Sequence, residues 1–248
     1  MLNNLIKTER GLNIAIAGSS GGIGAGFINQ LTRSGAPIEH LFSLSRTQPA
    51  SMPINGQWLR LDLEDEATIE KAAIAIEEVA GQLDLVVLAT GILHDRELQP
   101  EKDWSHLDPE KLSKLFAINT IGPAIFIKHF LPLLPRDGSG ILAALSARVG
   151  SISDNRIGGW YGYRSSKAAL NQLIRTASIE LARKRKQAAI VGLHPGTVET
   201  DLSEPFRNNR YKRFSPEESA GYLLQVLGSL DRDASGKVFD WQGEIVPE

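Results

Sequence analysis

The stretch Asn13–Ala17 (NIAIA), running straight into Gly18-Ser19-Ser20-Gly21-Gly22-Ile23-Gly24, decides the fold. Five residues with three or more apolar side chains read as a buried strand, and the glycines after it as a tight turn. Ile23, Phe27, Ile28 and Leu31 then recur at helical spacing as far as Gly35. A strand that enters a helix through glycines brings backbone N–H groups and the positive end of a helix dipole to one point. That combination cradles a pyrophosphate. The spacing Gly18, Gly22, Gly24 is G-x-x-x-G-x-G and departs from the commoner G-x-G-x-x-G fingerprint.

The same alternation continues outward. His40–Ser45, Gln57–Leu61, Leu83–Ala89, Ile141–Ser146 and Ala188–His194 read as strands, and Gly236–Asp240 as a short last one. Between them, Asp65–Ala80, Pro109–Leu131, Tyr161–Arg183 and Ser215–Leu230 carry helical periodicity, with a kink or a helix start expected at Pro123. Ser215 is placed as an N-cap ahead of Pro216 at the first helical position. Alternation of this kind predicts an α/β, doubly wound (Rossmann) fold. Its parallel sheet has about seven strands, and the single domain spans residues 1–248.

Composition narrows the function classes. The 248 residues are 42% hydrophobic, which excludes disorder, and no cysteine is present, which excludes disulfides, thiolate catalysis and Cys-held metals. A net charge of -2 makes no electrostatic case for nucleic acid or an anionic membrane. The start, MLNNLIKTERGLNIAIAG, has no adequate signal core and no run of 18 apolar residues follows, so a cytoplasmic location is expected. His40, His94, His106, His129 and His194 are scattered, and no metal site is expected. The run Arg183–Lys186 suits the C-terminal dipole of the helix it ends. Trp104, Trp160, Trp241 and Tyr161 are candidates for a substrate pocket, with core or interface as the alternative for Trp241. Thr200–Phe214 is either a loop that closes over a substrate or a plain surface loop.

Tyr163 and Lys167 stand four apart on the Tyr161–Arg183 helix and so share a face. A phenol is a poor acid at neutral pH, and an ammonium one turn away favours its ionised form.

These motifs, in this order, resemble the short-chain dehydrogenase/reductase family. The match runs through the glycine turn (Gly18, Ser20, Gly22, Ile23, Gly24), Asp62-Leu63, Ala89-Thr90-Gly91, Asn119, Ser146, Tyr163-x-x-x-Lys167 and Pro195-Gly196-Thr197-Val198-Glu199-Thr200. The stretch from Ser146 to Asn171 further resembles the C-factor and sniffer-like carbonyl reductase branch. The resemblance implies hydride transfer between NADP(H) and a carbonyl or secondary alcohol, with Tyr163 as acid/base. Lys167 would hold the nicotinamide ribose, and Asn119 a water linked to Lys167. Asp62 and Leu63 would bracket the adenine, Gly91 line the ribose, and Val198 and Thr200 contact the carboxamide and phosphates.

Two departures matter. Thr90-Gly91 departs from the family's usual Asn-Ala-Gly, with Leu88 and Ala89 in place of asparagines. The substrate-positioning serine, three before Gly150 in the family pattern, is Ala147 here. Three alternatives follow: Ser146 turned inward by a bulge, Ser151 or Ser153 reaching in from the loop, or no serine. At the end of the second strand, Leu44-Ser45-Arg46 carries no acid, and Arg46 suits a 2′-phosphate, so NADP is expected rather than NAD. The rival reading is a nucleotide-binding signalling or regulatory protein with little turnover. Self-association as a homodimer or homotetramer is a further expectation, through Phe116, Ile127 and Leu131 on one helix and Ala169, Leu173 and Ala177 on the other.

Overall fold

The structure, a computed structural model, describes residues 10–49, 53, 55–206 and 212–248. Its strands are β1 (Leu12–Ala17), β2 (Ile38–Ser45), β3 (Gly56–Arg60), β4 (Leu85–Leu88), β5 (Gly140–Leu145), β6 (Ala188–His194), β7 (Thr197–Val198), β8 (Arg213–Phe214) and β9 (Val238–Asp240). Seven form one sheet in the order β3-β2-β1-β4-β5-β6-β9, and every pair in it is parallel. Parallel strands need crossovers, which are the helices α1 (Gly22–Arg33), α2 (Glu66–Ala80), α3 (Pro109–Phe116), α4 (Gly122–Phe130), α5 (Tyr161–Lys184) and α6 (Pro216–Ser229). The order reverses direction between β1 and β4, which opens a crevice at the carboxyl ends of those strands.

Strand residues alternate between two cores. Ile14, Ile16, Val87, Ile141 and Val191 pack with Phe27 and Leu31 of α1 and Leu223, Leu224 and Leu227 of α6. Ala15, Ala17, Val86, Leu142 and Ile190 pack on the other face with Ile69 and Ile76 of α2, Phe126 and Phe130 of α4, and Leu170 and Ile174 of α5. Continuous apolar runs are what strands covered on both faces require. The segment Pro109–Leu133 has the length and composition of a membrane span. It nevertheless turns Phe126 and Phe130, both fully buried, onto the sheet.

The expected long helix from Pro109 is interrupted by a π-helical turn at Ala117–Ile121, and the α-helix resumes at Gly122 with Pro123 in its first turn. Pro123 lacks an amide hydrogen, and a resumed helix start is where that omission is tolerated. The small ladder β7-β8 is built from two-residue strands, which leave no periodic signal in the sequence. Of the association-face residues, Ile127, Leu131 and Ala177 turn into the second core instead, which leaves Phe116, Ala169 and Leu173 half-buried outside that cluster.

Candidate active site

The glycine turn sits at the mouth of the crevice. Gly18 has φ +81°, and its N–H donates to Leu44 O at 2.8 Å. A Cβ on Gly24 would stand 2.1 Å from Gly18 O, so the turn closes only with glycine there. Ser19 Oγ donates to Leu44 O (3.1 Å) and accepts from Ser43 Oγ (2.7 Å), which ties the turn to β2. Among the described residues no side chain caps α1, whose N-cap is Gly21. Its first N–H groups are therefore left without a side-chain acceptor and could serve an anion.

Neighbouring loops complete the cradle. Thr200 presses its Cγ2 against Gly22, 2.8 Å from where a Cβ would be. Pro195 O accepts from Ser219 Oγ, and Gly196, at φ +76°, sits under Phe214 and Trp241. Val198 is buried. Asp62 is half-buried, its N–H donates to Thr68 Oγ1, and Leu63 packs on Gly122. Ala89 N–H donates to Ala17 O, and a Cβ on Gly91 would come 3.1 Å from Lys167 Nζ. Thr90 Oγ1 is buried without a partner among the described residues, a polar atom left over beside the glycine turn. Ser20 is exposed, and so is Arg46, two residues past the Leu44 carbonyl that anchors the turn. Ser45 differs from Arg46: it is buried, accepts from Trp58 Nε1 (3.1 Å) and donates to Thr47 O (2.7 Å). Its hydroxyl is committed inside the protein and has no proton to spare for a ligand.

The structure brings Asn119, Tyr163 and Lys167 together. Lys167 is 2% exposed, donates from Nζ to Leu145 O at 2.9 Å, and lies 5.9 Å from the centre of the Tyr163 ring. Asn119, in the π-helical turn, accepts from Ile92 N–H and donates to Ile92 O, both at 2.8 Å, and also donates to Ser166 Oγ at 3.1 Å. The extra backbone residue of a π turn is a recurrent device at functional sites, and here it is the turn that carries Asn119. Burial pushes the Tyr163 phenol up to about 12 and the Lys167 ammonium down to about 8. Desolvation thus raises the phenol, opposite in direction to the expected pull of the Lys167 ammonium toward phenolate.

Ser146 does not join them. Its hydroxyl donates to Asn171 Oδ1 at 2.6 Å, while Ala147 shares the apolar cluster that contains Tyr163. Strand alternation explains this: one residue along the strand reverses the face. Ser151 is buried and accepts from Asp154 N–H, and Ser153 is exposed. Of the other candidates, Trp104 is exposed, Trp241 packs on Phe214 and Tyr222, and Trp160 meets Tyr163 edge-on at 6.2 Å. Phe206 packs edge-on against Trp160 (5.1 Å) and His94 (5.4 Å), and His94 Nε2 lies 3.0 and 3.1 Å from Asp201 O and Leu202 O. Two carbonyl partners make Nε2 the protonated nitrogen. Leu202 and Phe206 of the expected substrate loop therefore pack against the cluster that contains Tyr163, and residues 207–211 fall outside the described residues. Neither His94 nor Ser166 announced itself in the sequence. A serine three residues after the tyrosine was the one available signal.

The family described as short chain dehydrogenase matches residues 12–211. The NADPH-bound carbonyl reductase from chicken fatty liver superposes with a TM-score of 0.83 at 27% identity, covering 96% of this chain and 100% of that one. Carbonyl reductase Sniffer of D. melanogaster superposes with a TM-score of 0.84 at 25% identity, over 96% of this chain and 100% of that one. The C-signal protein of Myxococcus xanthus is 35% identical over 141 residues, 57% of this chain and 81% of that protein. With its glycine turn, parallel sheet and Tyr163–Lys167 helix in place, the chain belongs to the short-chain dehydrogenase family, whose members are oxidoreductases acting on small molecules.

Proposed function

We propose that this protein is an NADPH-dependent reductase of aldehydes or ketones with apolar or aromatic groups. The observation that carries the reading is the buried Tyr163–Lys167 pair beside a glycine cradle that a Cβ would obstruct. The cradle fits a dinucleotide: α1 offers uncapped N–H groups, Thr90 a spare hydroxyl, and Arg46 an exposed guanidinium. Bound there, NADPH supplies the hydride that goes to the carbonyl carbon.

Every other part falls to the chain. Tyr163 holds its proton firmly at neutral pH because burial raises its pKa to about 12, so it can deliver that proton to the carbonyl oxygen as charge develops there. Lys167, largely protonated at neutral pH, stabilises the tyrosinate that results and holds ribose hydroxyls. Asn119 fixes Ile92 next to Gly91 and sets the floor on which Lys167 rests. Trp160, Phe206, Leu202 and Val149 line an apolar wall beside Tyr163 that excludes water. Ala147 places a methyl where a hydroxyl would otherwise steady the carbonyl, which leaves Tyr163 as the proton donor at that oxygen.

Tyr163→Phe is expected to retain NADPH binding and lose turnover by at least about a hundredfold, in line with general acid catalysis. A panel of aromatic and aliphatic carbonyls, assayed alongside NADPH fluorescence titration, checks this. Full turnover by the Phe variant sinks the mechanism. NADPH binding with no turnover of any carbonyl points instead to a nucleotide-binding regulatory protein, a reading that Ala147 and the C-signal similarity favour.

A further inference from the structure

The helix that carries Tyr163 and Lys167 begins without local support. Its N-cap is Trp160, a non-glycine residue in the left-handed region at φ +53°, ψ +42°, and it makes no side-chain cap bond. No acidic residue stands in the first turn. Two of its early backbone donors are satisfied by one residue from far away in the chain. Glu101 O accepts from Trp160 N–H at 2.6 Å, and Glu101 Oε2 accepts from Gly162 N–H at 3.1 Å. Glu101 is 3% exposed, and its Oε1 is sealed from solvent with no partner among the described residues. Gly162 has no side chain for a reason visible here: a Cβ would stand 2.9 Å from Glu101 Oε1 and 2.5 Å from Leu115 Cδ1.

A buried carboxyl group is costly unless hydrogen-bond donors meet its oxygens. The N-terminus of a 24-residue helix supplies such donors. We infer that Glu101 is a positioning residue for the reaction, a cap supplied through tertiary structure that clamps the first turn of α5 on either side of Tyr161 and so sets where the Tyr163 hydroxyl lies. It touches neither substrate nor cofactor. Trp160, held by the same residue, carries the strained backbone that turns its ring against Tyr163 and Phe206.

This inference rests on Tyr163 being the acid, so its test runs beside Tyr163→Phe on the full chain saturated with NADPH. Glu101→Leu removes the acceptor and fills the volume; Glu101→Gln keeps an acceptor oxygen and removes the charge. The Leu variant is expected to lose about tenfold to a hundredfold in kcat, the order expected when a reacting group is displaced by about an ångström. KM for NADPH should stay within about threefold, because the cofactor cradle is untouched. Glu101→Gln should recover most of the kcat, and Glu101→Asp, one methylene short, should fall between. Amide hydrogen exchange gives a readout independent of turnover. The 160–166 segment should lose protection in the Leu variant and keep it in the Gln variant, while the rest of α5 is unchanged. Unaltered kcat and exchange in Glu101→Leu overturn the inference. So does a Gln variant as impaired as Leu, or a loss of protection spread evenly over the sheet. If Tyr163→Phe retains turnover, the function proposed above fails, while the exchange data still decide whether Glu101 clamps the helix.

Discussion

At the scale of the residue, Ser45 and Arg46 show how much one position along a strand decides. Ser45 ends β2 facing inward and is spent on Trp58 and Thr47, whereas Arg46 emerges into solvent at the crevice mouth. Of the two, Arg46 is the one exposed to meet the 2′-phosphate proposed above, where charge-assisted hydrogen bonds would contribute about 1.5–3 kcal/mol. Arg46→Ala is therefore expected to weaken NADPH about tenfold to a hundredfold and to leave NADH nearly unchanged. Titration of both cofactors by fluorescence reads this out, and equal losses would reduce Arg46 to a support of the turn. Ser45→Asp is a poor way to invert the preference, because it would bury a carboxylate against the Trp58 indole rather than present it to a ribose.

Elements carry their own demands, and the start of α1 is the tightest. Gly24 faces the carbonyl of Gly18 across the turn, and a methyl there would meet backbone atoms at 2.1 and 2.7 Å that cannot move without opening the cradle. Gly24→Ala is expected to cost about 1–3 kcal/mol, as overpacking does, and to abolish NADPH binding. Gly221 in α6 provides the contrast, since the nearest atoms to a Cβ there are the end of the Gln30 side chain, from 3.4 Å outward. Gly221→Ala should stabilise by about 0.5–1 kcal/mol through helix propensity and leave cofactor binding alone. Urea unfolding of the two variants, with NADPH titration, separates backbone collision from a general effect of losing glycine. A Gly24→Ala protein that still binds NADPH at wild-type affinity would show that the turn relaxes.

Over the whole molecule, stability should depend on acid through His194. This residue ends β6 opposite Asp240 of β9, half-buried, with Nδ1 sealed from solvent and unpartnered among the described residues. Burial holds its pKa down to about 4 from 6.5, the Asp240 carboxylate opposing and the Arg148 guanidinium assisting. Between pH 6.5 and 4 the unfolded chain binds the proton and the folded one does not, so unfolding becomes easier as pH falls through that window. The contribution is on the order of 3 kcal/mol. His194→Gln should flatten this part of the stability profile, read as urea midpoints at pH 7, 5 and 4. A variant with an unchanged slope would assign the acid sensitivity elsewhere.

The amino-acid sequence by itself determined the strand–helix alternation, the glycine turn, the placement of Tyr163 and Lys167 on one helical face, and the Ser215–Pro216 helix start, where the structure shows a full capping box. Each depends on neighbours within a few residues, where apolar period, capping chemistry and glycine geometry are written in the chain. Three features were decided only by tertiary structure. Ser146 turns to Asn171, 25 residues on, burial raises the Tyr163 phenol, and Glu101 caps a helix that starts 60 residues later. Hydrogen bonds and desolvation across such separations arise only when packing brings the segments together, and no local pattern records which partner arrives.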